Sequence, residues 1–172
     1  MYKIYTIEKK AEEKFLRKRA VDFDFSKFSK KEINDLIKNM RQTMKNAVPF
    51  GIGLSANQVG LDMRVFVAEI PQKGKKPKLY AIFNPEIVKK SEEKAVLEEG
   101  CLSVPGIWGN VERPAKITLA GFDKNQKKIN FKVFGVLAAV FQHEVDHLNG
   151  VLFIDKAKET HKSAPEETAP EI

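Results

Sequence analysis

The sequence contains 172 residues, of which 42% are hydrophobic and 31% are charged, as is typical of one globular domain with a sizeable core. No apolar stretch is long enough to span a bilayer, and the single cysteine, Cys101, excludes an intramolecular disulfide. The net charge of +7 is diffuse, comes mainly from the N-terminal part, and accompanies no zinc-finger or RNA-recognition signature. A solvated surface is therefore the favoured interpretation, and weak attraction to RNA-rich surroundings is the alternative.

The first clear element in chain order is a helix that begins near Ser29. Ser29 and Glu32 have the spacing of a capping box, and apolar residues then recur at helical spacing. These apolar residues are Ile33, Leu36, Ile37, Met40 and Met44. The segment from Asn46 to Gly53 ends this helix, which we expect to pack its apolar stripe on the core.

Strand-like segments follow, and polar connections separate them. The predicted strands are Arg64–Ile70, Leu79–Phe83, Lys116–Phe122 and Ile129–Val133. The lysine-rich stretch Gln72–Lys78 predicts an exposed loop, and the polar residues after Asp123 predict a hairpin between the last two strands.

A second helix is predicted from about Gly135 to Leu148, with Asn149-Gly150 as its C-terminal stop. An order of helix, strands and helix is not a regular βαβ alternation, so the predicted class is α+β. We expect small antiparallel or mixed sheets packed around the second helix.

Residues 1–155 are expected to form a single domain, followed by a disordered tail over residues 156–172. The tail prediction rests on a composition rich in Pro, Glu and Ala, with almost nothing to bury. The chain also begins without the apolar segment of a secretory signal, and it carries only one cysteine. We therefore expect a cytoplasmic protein in a reducing compartment.

The second helix carries the strongest chemical signal, the sequence Gln-His-Glu-Val-Asp-His. His143 and His147 are four residues apart, so they project from one helical face and can bind one metal ion. Glu144 can reach a water molecule beside such an ion without being a ligand, which suits a general base. Two surface histidines beside an ordinary glutamate are the alternative. However, two of the three histidines of the chain fall in this pattern.

A hydrolytic metal site needs a third protein ligand and an open position for water. A third histidine at the metzincin spacing would fall at Phe153, and the glutamates further on lie in or beside the predicted tail, where a ligand has no scaffold. The remaining soft donor is Cys101, which lies between Gly100 and the turn residues Pro105-Gly106. A Cys/His/His set suits Zn²⁺ or Fe²⁺, and a small core cysteine is the alternative.

The glycine-containing segment Gly51–Gln58 is the third candidate. It is not a P-loop, because no Gly-Lys-Ser/Thr follows. Its backbone and the amide of Gln58 could instead hold a peptide and polarise a carbonyl group. A plain turn is the alternative.

Together these three segments closely resemble the peptide deformylase family. That family carries Gly-x-Gly-Leu-Ala-Ala-x-Gln, Glu-Gly-Cys-Leu-Ser and Gln-His-Glu-x-Asp-His in this order. The corresponding segments here are Gly51–Gln58, Glu99–Ser103 and Gln142–His147, and the similarity covers most of the predicted domain. The sequence departs from the pattern at Ser55, where the family usually has Ala. Trp108 and Ala139 also differ from many relatives, and these changes bear on fine specificity.

The resemblance implies a metal-dependent hydrolase that removes the N-formyl group from the initiator methionine of nascent polypeptides and releases formate. It implies Fe²⁺ in the cell, with Zn²⁺, Ni²⁺ or Co²⁺ also accepted. Residues 1–155 would then be the catalytic domain. The implied metal ligands are Cys101, His143 and His147. The implied catalytic residues are Glu144 as acid and base, and Gln58 with the backbone N–H of Leu102 as oxyanion donors. The implied substrate-binding residues are Ile52, Gly53 and Leu54.

The expected partners are N-formyl-methionyl nascent peptides and, weakly, the ribosome, with no membrane contact and no specific nucleic-acid recognition. Glu99 and Arg113 are expected to form an ion pair under the Cys101 segment. Asp146 either orients a ligand histidine or the local backbone, or it is solvated. Two alternatives to the deformylase remain open. One is a metallopeptidase with the same helix motif, and the other is a deformylase-like metal-binding protein with lost or altered activity.

Overall fold

The computed structural model describes residues 1–72 and 74–162, which form helices and antiparallel strands. The helices are α1 (Lys10–Leu16), α2 (Lys30–Lys45) and α3 (Gly135–Leu148). The strands are β1 (Gly53–Ser55), β2 (Val65–Gln72), β3 (Lys75–Lys90), β4 (Lys94–Cys101), β5 (Val104–Pro114), β6 (Lys116–Phe122), β7 (Lys128–Phe134) and β8 (Ala157–Lys162). These elements confirm the predicted α+β class. None of the described helices combines the length and the apolar character needed to cross a membrane.

The strands form two sheets, one with the order β1-β2-β3-β6-β7 and one with the order β4-β5-β8. All pairings between the described strands are antiparallel, which confirms the antiparallel alternative of the prediction over mixed sheets. The physical reason is that short connections join β2 to β3, β4 to β5 and β6 to β7, and a short hairpin permits only antiparallel pairing. Strand β1 lies at one edge of its sheet.

Helix α2 begins as predicted, with a complete capping box. The backbone N–H of Ser29 donates to Oε2 of Glu32 at 2.7 Å, and the N–H of Glu32 donates to Oγ of Ser29 at 3.2 Å. The five predicted apolar residues of the stripe are all buried. They pack against Leu54, Val65 and Phe83 in one core cluster, which fixes β1 beside the helix.

Helix α3 lies between the two sheets, because it contacts strands of the larger sheet on one side and β5 on the other. Phe141 fills its sheet-facing side, with ring centroids 5.4 Å from Phe66 and 5.2 Å from Tyr80. The buried guanidinium of Arg64 donates to the backbone oxygen of Leu148 at 3.0 Å and to Oδ1 of Asn149 at 2.9 Å. A positive charge at the C-terminal end of a helix stabilises it. The predicted central helix is therefore confirmed.

Two parts of the sequence prediction were wrong. Strands β2 and β3 pair as far as Gln72 and Lys75, so the exposed loop is shorter than predicted. Residues 157–162, expected to be disordered, form β8, which pairs with β5 at Trp108–His161 and neighbouring positions. Strand pairing satisfies backbone groups whatever the side chains are, so the composition of β8 could not reveal it. Residues 163–172 of the predicted tail lie outside the described residues. The assignment of residues 1–155 to a single domain stays a prediction.

Candidate active site

The three predicted metal ligands lie together, one on β4 and two on α3. Sγ of Cys101, at the end of β4, is 3.1 Å from Nε2 of His147, and Nε2 of His143 is also 3.1 Å from Nε2 of His147. All three ligand atoms lie within 4.8 Å of one another. Ligands at usual zinc distances in a tetrahedral site are about 3.4 Å apart, so the cluster fits one ion.

A buried ionic network orients His143. Its Nδ1 lies 2.8 Å from Oε2 of Glu99, which leaves Nε2 free to act as a ligand. Arg113 donates to both carboxylate oxygens of Glu99, at 2.5 and 2.9 Å, and to Oδ2 of Asp146 at 2.7 Å. The expected ion pair between Glu99 and Arg113 is present, and Asp146, which also accepts from Lys156, is tied to the same network rather than solvated.

The network keeps the Glu99 carboxylate ionised. Burial alone would raise its pKa, but the hydrogen bonds from Arg113 and His143 outweigh burial and lower the pKa to about 2. An ionised acceptor at Nδ1 increases the basicity of the opposite ring nitrogen, which is the one available to a metal.

Glu144 is buried on the same helix, with its two carboxylate oxygens in different surroundings. Oε2 accepts a hydrogen bond from Oγ of Ser55 at 2.7 Å. Oε1 lies against the Cα of Gly53, where a side chain would overlap it. Burial is the main cause that raises the pKa of Glu144 to about 7. A carboxyl group that titrates near neutrality can both accept and donate a proton.

The amide of Gln58 is held in one orientation beside the cluster. Its Oε1 accepts from the backbone N–H of Ser55 at 2.8 Å. Its Nε2 therefore faces the ligands, where it donates to Oγ of Ser103 at 3.1 Å and lies 3.5 Å from Sγ of Cys101. Gln58 is almost completely buried, so this donor is preorganised.

The other predicted site residues lie around this centre. Ile52 precedes β1, Gly53 begins it, and Leu102 follows Cys101 in the turn between β4 and β5. The side chain of Leu54 is fully buried in the core, so only its backbone can face a ligand. The structure therefore brings the three ligands, Glu144, Gln58 and Gly53 together. Ile52 and Leu102 are next to these residues in the chain, and the side chain of Leu54 lies in the core.

Several contacts were not predicted from the sequence. Ser103 positions Gln58, and the amide nitrogen of Asn57 donates to the backbone oxygen of His147. Ser55 was noted only as a departure from the family pattern. Ser55 and Asn57 lie in the segment Gly51–Gln58, and Ser103 lies in the segment Glu99–Ser103. Their presence in these two segments was the only sequence feature that could have indicated a role in the site. The ring of Trp108 covers Gly100, directly before Cys101.

Comparison with known proteins agrees with this geometry. The family model described as "Polypeptide deformylase" matches residues 1–163. A peptide deformylase of Halothermothrix orenii is 46% identical over 126 residues, which cover 73% of this chain and 78% of the relative. One of Desulforudis audaxviator is 42% identical over 131 residues, covering 76% and 81%.

Solved structures show the same similarity. A probable peptide deformylase from Synechococcus phage S-SSM7 has a TM-score of 0.81 and 38% identity, covering 91% of this chain and 99% of the other. The peptide deformylase from Thermotoga maritima has a TM-score of 0.77 and 36% identity, covering 92% and 99%. The match of the family model over nearly the whole chain, together with these relatives, shows that the chain belongs to the polypeptide deformylase family.

Proposed function

We propose that the buried centre around Glu144 removes the N-formyl group from the initiator methionine of nascent polypeptides and releases formate. The family is one of metal-dependent deformylases, and the chain is an enzyme of this kind. The observation that carries the assignment of residues is the position of Glu144, which lies beside the three clustered ligands and against Gly53 on the edge strand β1. A peptide on β1 would therefore bring its N-terminus to the carboxylate.

Cys101, His143 and His147 would hold one divalent ion, with Fe²⁺ as the ion in the cell and Zn²⁺, Ni²⁺ or Co²⁺ as substitutes. Their thiolate and imidazole donors suit these ions. When bound, such an ion polarises the formyl carbonyl and lowers the pKa of water. Glu99 fixes the tautomer of His143 for this task.

Strand β1 would bind the substrate backbone. It is the edge strand of its sheet, paired in the described residues with β2 through Gly53–Ala68, Leu54–Val67 and Ser55–Phe66. An extended peptide can add to such an edge by main-chain hydrogen bonds. The missing side chain of Gly53 lets the peptide approach the carboxylate, and Ile52 and Leu54, whose backbones pair with Glu69 and Val67 of β2, would hold Gly53 in place for the substrate.

Proton transfer is assigned to Glu144. It would accept a proton from the attacking water as the oxygen bonds to the formyl carbon, and it would return a proton to the methionine nitrogen as the C–N bond breaks. The amide of Gln58 and the N–H of Leu102 would donate to the carbonyl oxygen as it becomes negative. One such donor contributes about 3 kcal/mol to stabilising the transition state.

A peptidase with the same helix motif is not favoured, because the third clustered donor is Cys101 rather than a residue downstream of His147. The basic charge of the N-terminal part supports weak ribosome association, and the single cysteine supports a cytoplasmic location. Ribosome co-sedimentation by a chain that lacks residues 163–172 tests this association. Binding through the basic N-terminal part must survive the deletion and must weaken as the salt concentration rises.

Formate release from formyl-Met-Ala by anaerobically purified protein loaded with Fe²⁺ or Ni²⁺ tests the function. Glu144→Ala should abolish turnover with the metal still bound, whereas Glu112→Ala, at a half-buried carboxylate on β5 that pairs with Lys94 and Lys158, should leave the rate unchanged. A full rate in Glu144→Ala would exclude Glu144 as the base. Cys101→Ser should weaken metal binding, and unchanged affinity would exclude Cys101 as a ligand.

A further inference from the structure

We propose that Ser55 is a positioning residue that holds the Glu144 carboxylate in one rotamer, so that Oε1 is the oxygen that transfers protons. This inference rests on the proposed role of Glu144 and adds a residue to it. The family usually has Ala at this position, so the hydroxyl belongs to this chain rather than to the common pattern.

The contact itself is buried and short. Ser55 is fully buried, and its Oγ lies 2.7 Å from Oε2 and 3.0 Å from the backbone oxygen of Glu144, 89 residues along the chain. A hydroxyl has one proton to donate. The carboxylate is the closer acceptor, and hydrogen bonds to ionised oxygens are stronger than those to neutral ones. The proton of Ser55 is therefore directed mainly at Oε2.

Oε1, the other carboxylate oxygen of Glu144, is left for proton transfer. Gly53 and Ser55 are two residues apart on β1 and so face the same side of the strand. Ser55 donates a hydrogen bond to Oε2, whereas Oε1 lies against the backbone of Gly53, in the space that the missing side chain leaves. Gly53 is also at the position where a bound peptide would run. Strand β1 thus distinguishes the two oxygens of one carboxylate.

Ser55 also connects Glu144 to the oxyanion donor. Its backbone N–H holds Oε1 of Gln58 at 2.8 Å, while its side chain holds Glu144. An alanine could supply the N–H bond but not the hydroxyl bond. A buried hydroxyl is unfavourable unless it is hydrogen-bonded, and the bond to Glu144 compensates for this one.

Ser55→Ala tests the assignment. The smaller side chain is the family's usual one, so the variant should fold and bind the same amount of metal. We expect kcat for formyl-Met-Ala to fall about tenfold, the effect of losing one hydrogen bond to a charged group, with KM within about twofold of the parent. An unchanged kcat, or a raised KM with kcat unchanged, would overturn the proposal.

Thr43→Val is the matched control, since it deletes another buried hydroxyl, which donates to the backbone oxygen of Asn39 and accepts from the backbone N–H of Tyr2. This variant should be less stable than the parent with the same kcat. An equal fall in kcat in Thr43→Val would attribute the effect of Ser55→Ala to general destabilisation and overturn the positioning role.

A double-mutant cycle in urea-induced unfolding provides a readout without turnover. Ser55→Ala and Glu144→Ala should be non-additive in the free energy of unfolding, because each removes the same contact. Additive effects would overturn the contact. A parent that releases no formate would overturn the proposed function, whereas an active parent with an equally active Ser55→Ala variant would overturn only the role of Ser55.

Discussion

Glu144 lies directly against the backbone of Gly53, and a Cβ added to Gly53 would come within 2.9 Å of Cδ of Glu144 and closer still to Oε1. Only glycine, which has no Cβ, allows the backbone of β1 to lie this close to the Glu144 side chain of α3. The proposed base, Glu144, therefore packs on the strand proposed to bind substrate, so that the same backbone would set its position and that of the peptide.

Gly53→Ala should displace the carboxylate and lower kcat/KM for formyl-Met-Ala by about a hundredfold, because a shift of about 1 Å in a catalytic group can have this effect. Metal content should stay unchanged. Gly51→Ala is the comparison, since its new Cβ would come closest to the end of the flexible Leu102 side chain, at 2.8 Å, with the backbone oxygen of Gly53 and Cγ of Met44 at 3.3 Å. We expect it to lose much less activity. Equal losses in the two variants would contradict the specific contact with Glu144.

Gln58→Leu should lower kcat by about a hundredfold or more, with a small change in KM, because it removes a donor that acts mainly in the transition state. Gln58→Glu keeps the size of the side chain but puts a negative charge where the oxyanion forms, so its rate should be at least as low. Single-turnover formate release measures both. A kcat near that of the parent in either variant would remove Gln58 from the mechanism.

Glu99→Gln should weaken metal binding by about 10- to 100-fold, because the neutral amide is a poorer partner for Nδ1 of His143. Competition with a chelator of known affinity measures the change. Glu112→Gln is the control, since Glu112 pairs with Lys94 and Lys158 on the surface, away from the ligands. An affinity in Glu99→Gln equal to that of the control would show that the carboxylate does not support the ligand.

The sequence predicted best those features whose causes are local. The capping box at Ser29, the apolar stripe of α2 and the i, i+4 pair of histidines on α3 each depend on residues within a few positions of one another. Cys101 is different, because it is distant from the two histidines in sequence and was reached as the one soft donor available to complete the ligand set.

Features that depend on distant backbone were missed. Strand β5 contains Pro105 and Gly109, which argue against a strand in sequence analysis. In the structure a Cβ at Gly109 would lie 2.8 Å from the backbone oxygen of Glu159, so this glycine allows the close pairing with β8. The bond from Ser55 to Glu144 likewise joins β1 to α3 across 89 positions. Local composition therefore could not predict the pairing of β5 with β8 or the hydrogen bond between Ser55 and Glu144.

A last prediction concerns stability away from the site. Glu69 on β2 has a buried side chain that accepts hydrogen bonds from Nε of Arg41, at 3.2 Å, and from its Nη2, and lies 3.5 Å from Nζ of Lys45. The hydrogen bonds from Arg41 outweigh burial and lower the pKa of Glu69 below its ordinary 4.5. A carboxylate with a lowered pKa stabilises the folded state above its ordinary pKa and loses this effect as the pH falls through the lowered value.

Arg41→Gln should therefore reduce the free energy of unfolding by about 1 kcal/mol at neutral pH. The difference from the parent should shrink as the pH falls below 4.5, because Glu69 then becomes protonated in both proteins. Urea unfolding over this pH range measures the difference. Lys31→Gln, at an exposed pair with Asp35 on α2, should change stability little. A deficit in Arg41→Gln that stays constant down to acid pH would mean that the guanidinium acts by packing rather than through the charge of Glu69.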